Sequence, residues 1–169
     1  MTRRLIALLL LAVLAGACTD SSYSGPRYTS SEDGISFAQL PGWDVSRDRA
    51  TLVLHRPGRA ATIAIRTIPR DGWSAPRTAD NVVPAVGSAL RALPGAHVKG
   101  PTELTTADYP AVAFDVDFVP RGHGRYQRRH VTLIADDHII HIFLVAPDGQ
   151  LSASRRDLET IVKSLREET

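Results

Sequence analysis

The stretch AVAFDVDFVPRGHGRYQRRHVTLIADDHIIHIFLVA, residues 111–146, decides the fold, because apolar residues alternate along three successive runs separated by turn residues. Ala111 to Val119, Tyr126 to Ala135 and His138 to Ala146 read as strands, joined by a loop containing Gly122-His123-Gly124 and by the turn Asp136-Asp137. A period of two puts Val112, Phe114, Val116 and Phe118 on one face with Val131 and Leu133, which face Ile140, Ile142 and Leu144. That is the expected core face. The opposite face then carries Asp115, Asp117, Arg128, His130, Thr132, Ile134, Ile139, His141 and Phe143. If the loop from Pro120 to Arg125 leaves Val119 opposite Tyr126, Asp117 pairs with Arg128 and Asp115 with His130. A two-residue Asp136-Asp137 turn sets Thr132 opposite His141 and places His130 on its diagonal.

Working outward, Ile35 to Leu40, Thr51 to Arg56 and Ala61 to Ile68 are further strand candidates, the last two divided by the turn Pro57-Gly58-Arg59. A helix is expected where Val83, Val86, Leu90 and Leu93 recur at helical spacing. Asp80 or Asn81 would cap it, Pro84 is tolerable only in a first turn, and Gly87 weakens it. A short strand follows at Thr102 to Thr105. The chain closes with a second helix whose stripe is Leu158, Ile161, Val162 and Leu165, with Ser154 and Asp157 spaced as a capping box. Strands, helix, strands, helix describe an α+β domain: an antiparallel sheet of about six to seven strands packed with a mid-chain helix and a C-terminal helix.

The N-terminus reads as an address. Arg3 and Arg4 precede an apolar run from Leu5 to Ala15, too short to span a bilayer, and the small residues Ala15-Gly16-Ala17 lead into Cys18. This is similar to the lipobox of bacterial lipoproteins, with Ala15 where that pattern prefers leucine. The resemblance implies a signal peptide over 1–17, cleavage before Cys18 and acylation of that residue. Cys18 is the only cysteine in the chain, so no disulfide within one chain is expected and the domain must rely on its core. Residues 18–33 are polar and serine-rich and read as the lipidated cysteine and a flexible tether; residues 34–169 are long enough for one domain with a real core. Loss of Arg3 and Arg4 leaves 20 − 2 = 18 basic side chains against 18 acidic ones, so the mature chain is formally neutral. No nucleic-acid partner is expected.

Gly34-Ile35-Ser36-Phe37 running into Pro41-Gly42-Trp43, a mid-chain helix, a Tyr109-Pro110-Ala111 turn and a closing amphipathic helix together resemble the PsbP-like superfamily. That superfamily takes in extrinsic subunits of the photosynthetic oxygen-evolving complex, DcrB-related envelope proteins and LpqN-type lipoproteins. The resemblance implies this α+β fold and work as a binding, assembly or accessory protein. It transfers no catalytic motif. Trp43 is expected to close one end of the core.

The expected role is a lipid-anchored envelope protein, not an enzyme and without a cofactor, that holds a membrane through Cys18 and binds another envelope protein. With Thr19 after Cys18, the pattern favours the outer membrane of a Gram-negative host; in a Gram-positive host the anchor would hold the outer face of the cytoplasmic membrane. The candidate contact surface is Asp115, His123, Arg128, His130 and His141. Cross-strand Asp/Arg and Asp/His pairs there need no purpose beyond setting register, while a sharper alternative joins Asp115, His130 and His141 as metal ligands. Another alternative is a small-ligand carrier with an apolar pocket between the sheet and the Val83 to Leu93 helix. His138 and His141 cannot share a metal, since strand residues three apart point to opposite faces. His123, between Arg121 and Arg125, suits either an anion-binding loop or a plain hairpin tip. No nucleophile elbow, P-loop or dinucleotide fingerprint occurs.

Overall fold

The alternating stretch forms the centre of a seven-stranded antiparallel sheet. The computed structural model describes residues 23–70, 79–106 and 108–168; the signal segment and Cys18 lie outside the described residues. In chain order the elements are β1 (Arg27–Ser30), β2 (Ile35–Ala38), β3 (Asp44–Asp48), β4 (Thr51–His55), β5 (Thr62–Pro69), α1 (Ala79–Arg91), β6 (His97–Leu104), β7 (Ala111–Phe118), β8 (Tyr126–Ile134), β9 (His138–Pro147), α2 (Arg155–Ser164) and β10 (Arg166–Glu167). The large sheet runs β3-β4-β5-β9-β8-β7-β6, and a second sheet runs β1-β2-β10. Two helices and two antiparallel sheets make the expected α+β domain.

Each face of the large sheet has its own cluster. The inner face joins Ile63, Ile65, Val131, Leu133, Ile140, Ile142 and Leu144 to Ile35 and Phe37 of the small sheet and to Leu158, Ile161 and Leu165 at α2. Most of these side chains are fully buried, and each fully buried Leu or Ile contributes about 1.5 to 3 kcal/mol relative to exposure. Trp43 closes this core and donates its Nε1–H to Asp157 Oδ2 at 3.1 Å. The outer face carries a smaller cluster in which Leu90 of α1 packs on Phe114 and Val116.

Four local expectations change. Ser154 stands before α2 without a side-chain capping bond, and Asp157, the other half of the expected box, accepts from the Trp43 indole instead. α1 starts at Ala79, so Pro84 lies in its second turn and removes an amide that would bond to the Asp80 carbonyl. Gly87 is buried against the sheet: a Cβ there would lie 3.4 Å from the Phe114 ring. The ordered domain also begins before residue 34. β1 pairs with β2, and Arg27 donates to Ser36 Oγ at 2.6 Å and to the Ser164 carbonyl at 2.8 Å, so the C-terminal part of the expected tether is built into the fold.

Candidate functional site

The site grows out of two hairpins whose registers turn out differently. Between β8 and β9 the Asp136-Asp137 turn sets Thr132 opposite His141 and His130 opposite Phe143, as the alternation predicts. Glu167 of β10 holds that turn, accepting from the Asp136 and Asp137 amides at 3.0 and 3.2 Å and contacting His138 Nδ1 at 2.9 Å. His138 and His141 point to opposite faces, as their spacing requires.

Between β7 and β8 the register differs by one residue. Phe118, not Val119, lies opposite Tyr126, so Asp117 faces Gln127, Asp115 faces Arg129, and Phe114 faces His130. Val119 is drawn out of the hairpin because its amide donates to the Pro94 carbonyl at 2.9 Å. A one-residue slip exchanges the faces of a whole strand. Ala111 and Ala113 therefore join the inner core, while Phe114 and Val116 turn outward under α1. The expected grouping of Val112, Phe114, Val116 and Phe118 with Val131 and Leu133 is corrected, as are the pairs Asp117 with Arg128 and Asp115 with His130.

This places the candidate residues on two sides of the sheet. Asp115 is on the inner side, where both its carboxylate oxygens accept from Arg129 Nη1, at 2.9 and 2.7 Å. Asp117 accepts from Gln127 Nε2 at 3.3 Å. An open cleft of about 380 Å³ lies beside them, lined by Lys99, Asp115, Asp117, Gln127 and Arg155 among others. Arg128 also borders it, but alternation along β8 and its contacts send the guanidinium to the other face. Asp115 does not converge with His130 and His141, so the three-ligand metal arrangement does not form. Among the described residues no group of three His, Cys, Asp or Glu side chains is placed to hold a metal.

Arg128, His130 and His141 form a directed chain on the outer face. Arg128 Nη2 lies 2.7 Å from His130 Nδ1, and His130 Nε2 lies 3.2 Å from His141 Nδ1, which is also 3.2 Å from Thr132 Oγ1. A guanidinium can only donate, so His130 Nδ1 accepts; the neutral ring carries its proton on Nε2 and donates it to His141 Nδ1. Burial, reinforced by the charge of Arg128 and by His141, pushes His130 down to about 2, so the ring is neutral at any physiological pH. Burial also pushes Arg128 down to about 10, which leaves it cationic. Its guanidinium carbon lies 4.3 Å from the centre of the Phe143 ring, against which His130 stacks at 5.6 Å.

His123 sits on the exposed loop between β7 and β8, its ring edge-on to Tyr126 at 6.4 Å, and it is not brought together with the others. Arg129 was not among the candidates. It is signalled only by the small residues Ala111 and Ala113, which suit the inner face of β7 and bring Arg129 opposite Asp115. Leu90 of α1 packs on Phe114 and Val116, and an open cleft of about 290 Å³ lies beside the first turn of α1, lined by Ala79, Leu104, Val112 and Ile134 among others.

No family model matches the sequence, and no curated protein matches it. Solved structures do match. LpqN of Mycobacterium tuberculosis, described as involved in cell envelope biogenesis, superposes with a TM-score of 0.59 at 14% identity over 86% of each chain. The cyanobacterial PsbP of Synechocystis sp. PCC 6803 gives a TM-score of 0.58 at 15% identity, covering 90% of this chain and 98% of that one. A protein of Bacteroides thetaiotaomicron gives 0.62 at 12% identity; 86% of this chain is covered, but the chain spans only about half that protein's length. At such identities the likeness establishes the fold: the domain has the α+β architecture of the PsbP-like proteins.

Proposed function

We propose that this chain is a lipid-anchored protein of the cell envelope whose α+β domain acts as a non-catalytic binding or accessory module. The fold shared with LpqN and the cyanobacterial PsbP is the observation that carries the reading. The pattern around Cys18 supplies the address, and several acyl chains on that residue would make attachment effectively permanent. Among the described residues no helix is long and apolar enough to cross a membrane. The outer sheet face, with Arg128, His130 and His141 set in a half-buried surface, is the contact surface for a protein partner.

Intact mass and membrane fractionation of the natural chain against Cys18→Ala, with capture of bound proteins from the membrane fraction, tests this. A lipid-sized mass increment that vanishes together with membrane attachment in the variant is the expected result. Equal attachment of both forms, with no lipid on the natural chain, would overturn the anchored reading.

A further inference from the structure

Arg128 is a partly buried cation to which the described residues give no carboxylate. Its Nη2 bonds to a neutral imidazole, its Nε is buried without a hydrogen-bond partner, and among the described residues no carboxylate lies within ion-pair distance of it. A buried charge is normally paired, and an unpartnered donor in a desolvated position carries a penalty that a ligand can remove. Its surroundings repeat the imbalance. The positions that β5, β9 and β8 direct to the outer face include Arg66, directly opposite His141, together with Arg128, His130 and His141, and no Asp or Glu. Phe143 and Val145 beside Arg128 are half-buried.

We propose that the outer face of β5, β9 and β8 binds a carboxylate presented by a protein partner, with Arg128 as the residue that receives it. The inference rests on the partner-binding reading above and names the chemistry of the contact. A carboxylate fits better than a phosphate group because the neutral His130 leaves one cation at the centre of the site, which matches a single negative charge. Nη1 and the Nη2 hydrogen not given to His130 receive the carboxylate oxygens in the guanidinium plane, while one face stays against the Phe143 ring. A protein side chain is preferred to a small acid on the partner-binding reading above, and a half-buried sheet face encloses little of a small molecule.

The test uses the full chain in neutral detergent and a rhodamine-labelled peptide with one glutamate flanked by leucines, alongside the same peptide with glutamine. Fluorescence anisotropy should show the glutamate peptide binding at least about tenfold more tightly, the scale of one charge-assisted fork. Arg128→Met should erase that preference while the melting profile stays cooperative. Should this variant fail to fold, Arg128→Lys keeps the charge, lacks the fork and should reduce the preference severalfold. Equal binding of the two peptides, or a preference unchanged in either folded variant, would overturn the proposal. Displacement of the peptide by stoichiometric propionate would overturn the protein partner in favour of a small acid. Displacement by inorganic phosphate more readily than by propionate would overturn the carboxylate. The assay involves neither lipid nor envelope, so its failure leaves the anchored reading standing, and failure of the Cys18 test leaves this one standing.

Discussion

Arg128 and Arg129 are neighbours on one strand, yet the sheet gives them opposite situations. Arg129 points inward, 7% exposed, and holds both oxygens of Asp115. Arg128 points outward to an imidazole and an aromatic ring, with one buried nitrogen left unsatisfied. Period-two geometry alone separates them. Identical residue types one position apart thus differ in whether the described residues give them a carboxylate partner. The inner arginine is satisfied by the fold, whereas the outer one is held in place without being neutralised.

The largest effect expected from the outer side is a response to acid. His130 is 6% exposed and titrates near 2 when folded, against an ordinary value of 6.5. Below 6.5 the unfolded chain binds a proton that the folded chain refuses, so the stability this ring contributes is fully present above 6.5 and falls as the pH drops toward 2. Between pH 7 and pH 4 the loss from this residue amounts to about 3 kcal/mol. Urea unfolding at the two pH values should show a slope that His130→Gln reduces by that amount; parallel slopes would mean that the ring is not held neutral.

A smaller effect is expected on the inner side. Asp115→Ala leaves Arg129, which is 7% exposed, without its carboxylate. Losing one partner of a fully buried pair costs about 3 to 5 kcal/mol; the half-exposed Asp115 side chain brings the expected loss to about 2 kcal/mol. Thermal melting measures it, and an unchanged midpoint would show that Arg129 does not depend on its partner. The smallest effect belongs to the loop between the two strands. His123→Ala, on an exposed tip, should change stability by less than about 0.5 kcal/mol and leave the glutamate preference of the outer face intact. A loss of that preference would extend the binding surface to the loop.

How much of this was legible in the residues depends on the connection between strands. The β8–β9 register was legible because a two-residue turn leaves one way to close the hairpin, and the diagonal of His130 and His141 followed from it. The β7–β8 register was not, because β7 has apolar residues on both faces and the bond between Val119 and Pro94 lies outside the hairpin. Alternation could not choose between the Ala111 face and the Phe114 face, and with that choice went the partner of Asp115. The edge strands were hidden for another reason. β1 reads RYTS and β3 reads DVSRD, short and polar as exposed edges are, and their residues are held by contacts far along the chain. Arg47 of β3 is one case: it bonds to Asp33 and Ser30. Burial pushes the Asp33 carboxyl up, but the hydrogen bonds from Arg47 and Ser30 and the charge of Arg47 outweigh it and hold the group below its ordinary value.

The most direct test of the contrast is urea unfolding of Arg128→Met and Arg129→Met side by side at neutral pH. Removing the guanidinium that the fold satisfies should lower stability by about 1 kcal/mol or more, since Asp115 loses its charge-assisted bonds. Removing Arg128 should cost less, because a desolvated charge goes with it and the one bond lost is that to His130 Nδ1. Equal losses in the two variants would contradict the account and make Arg128 a structural residue like its neighbour.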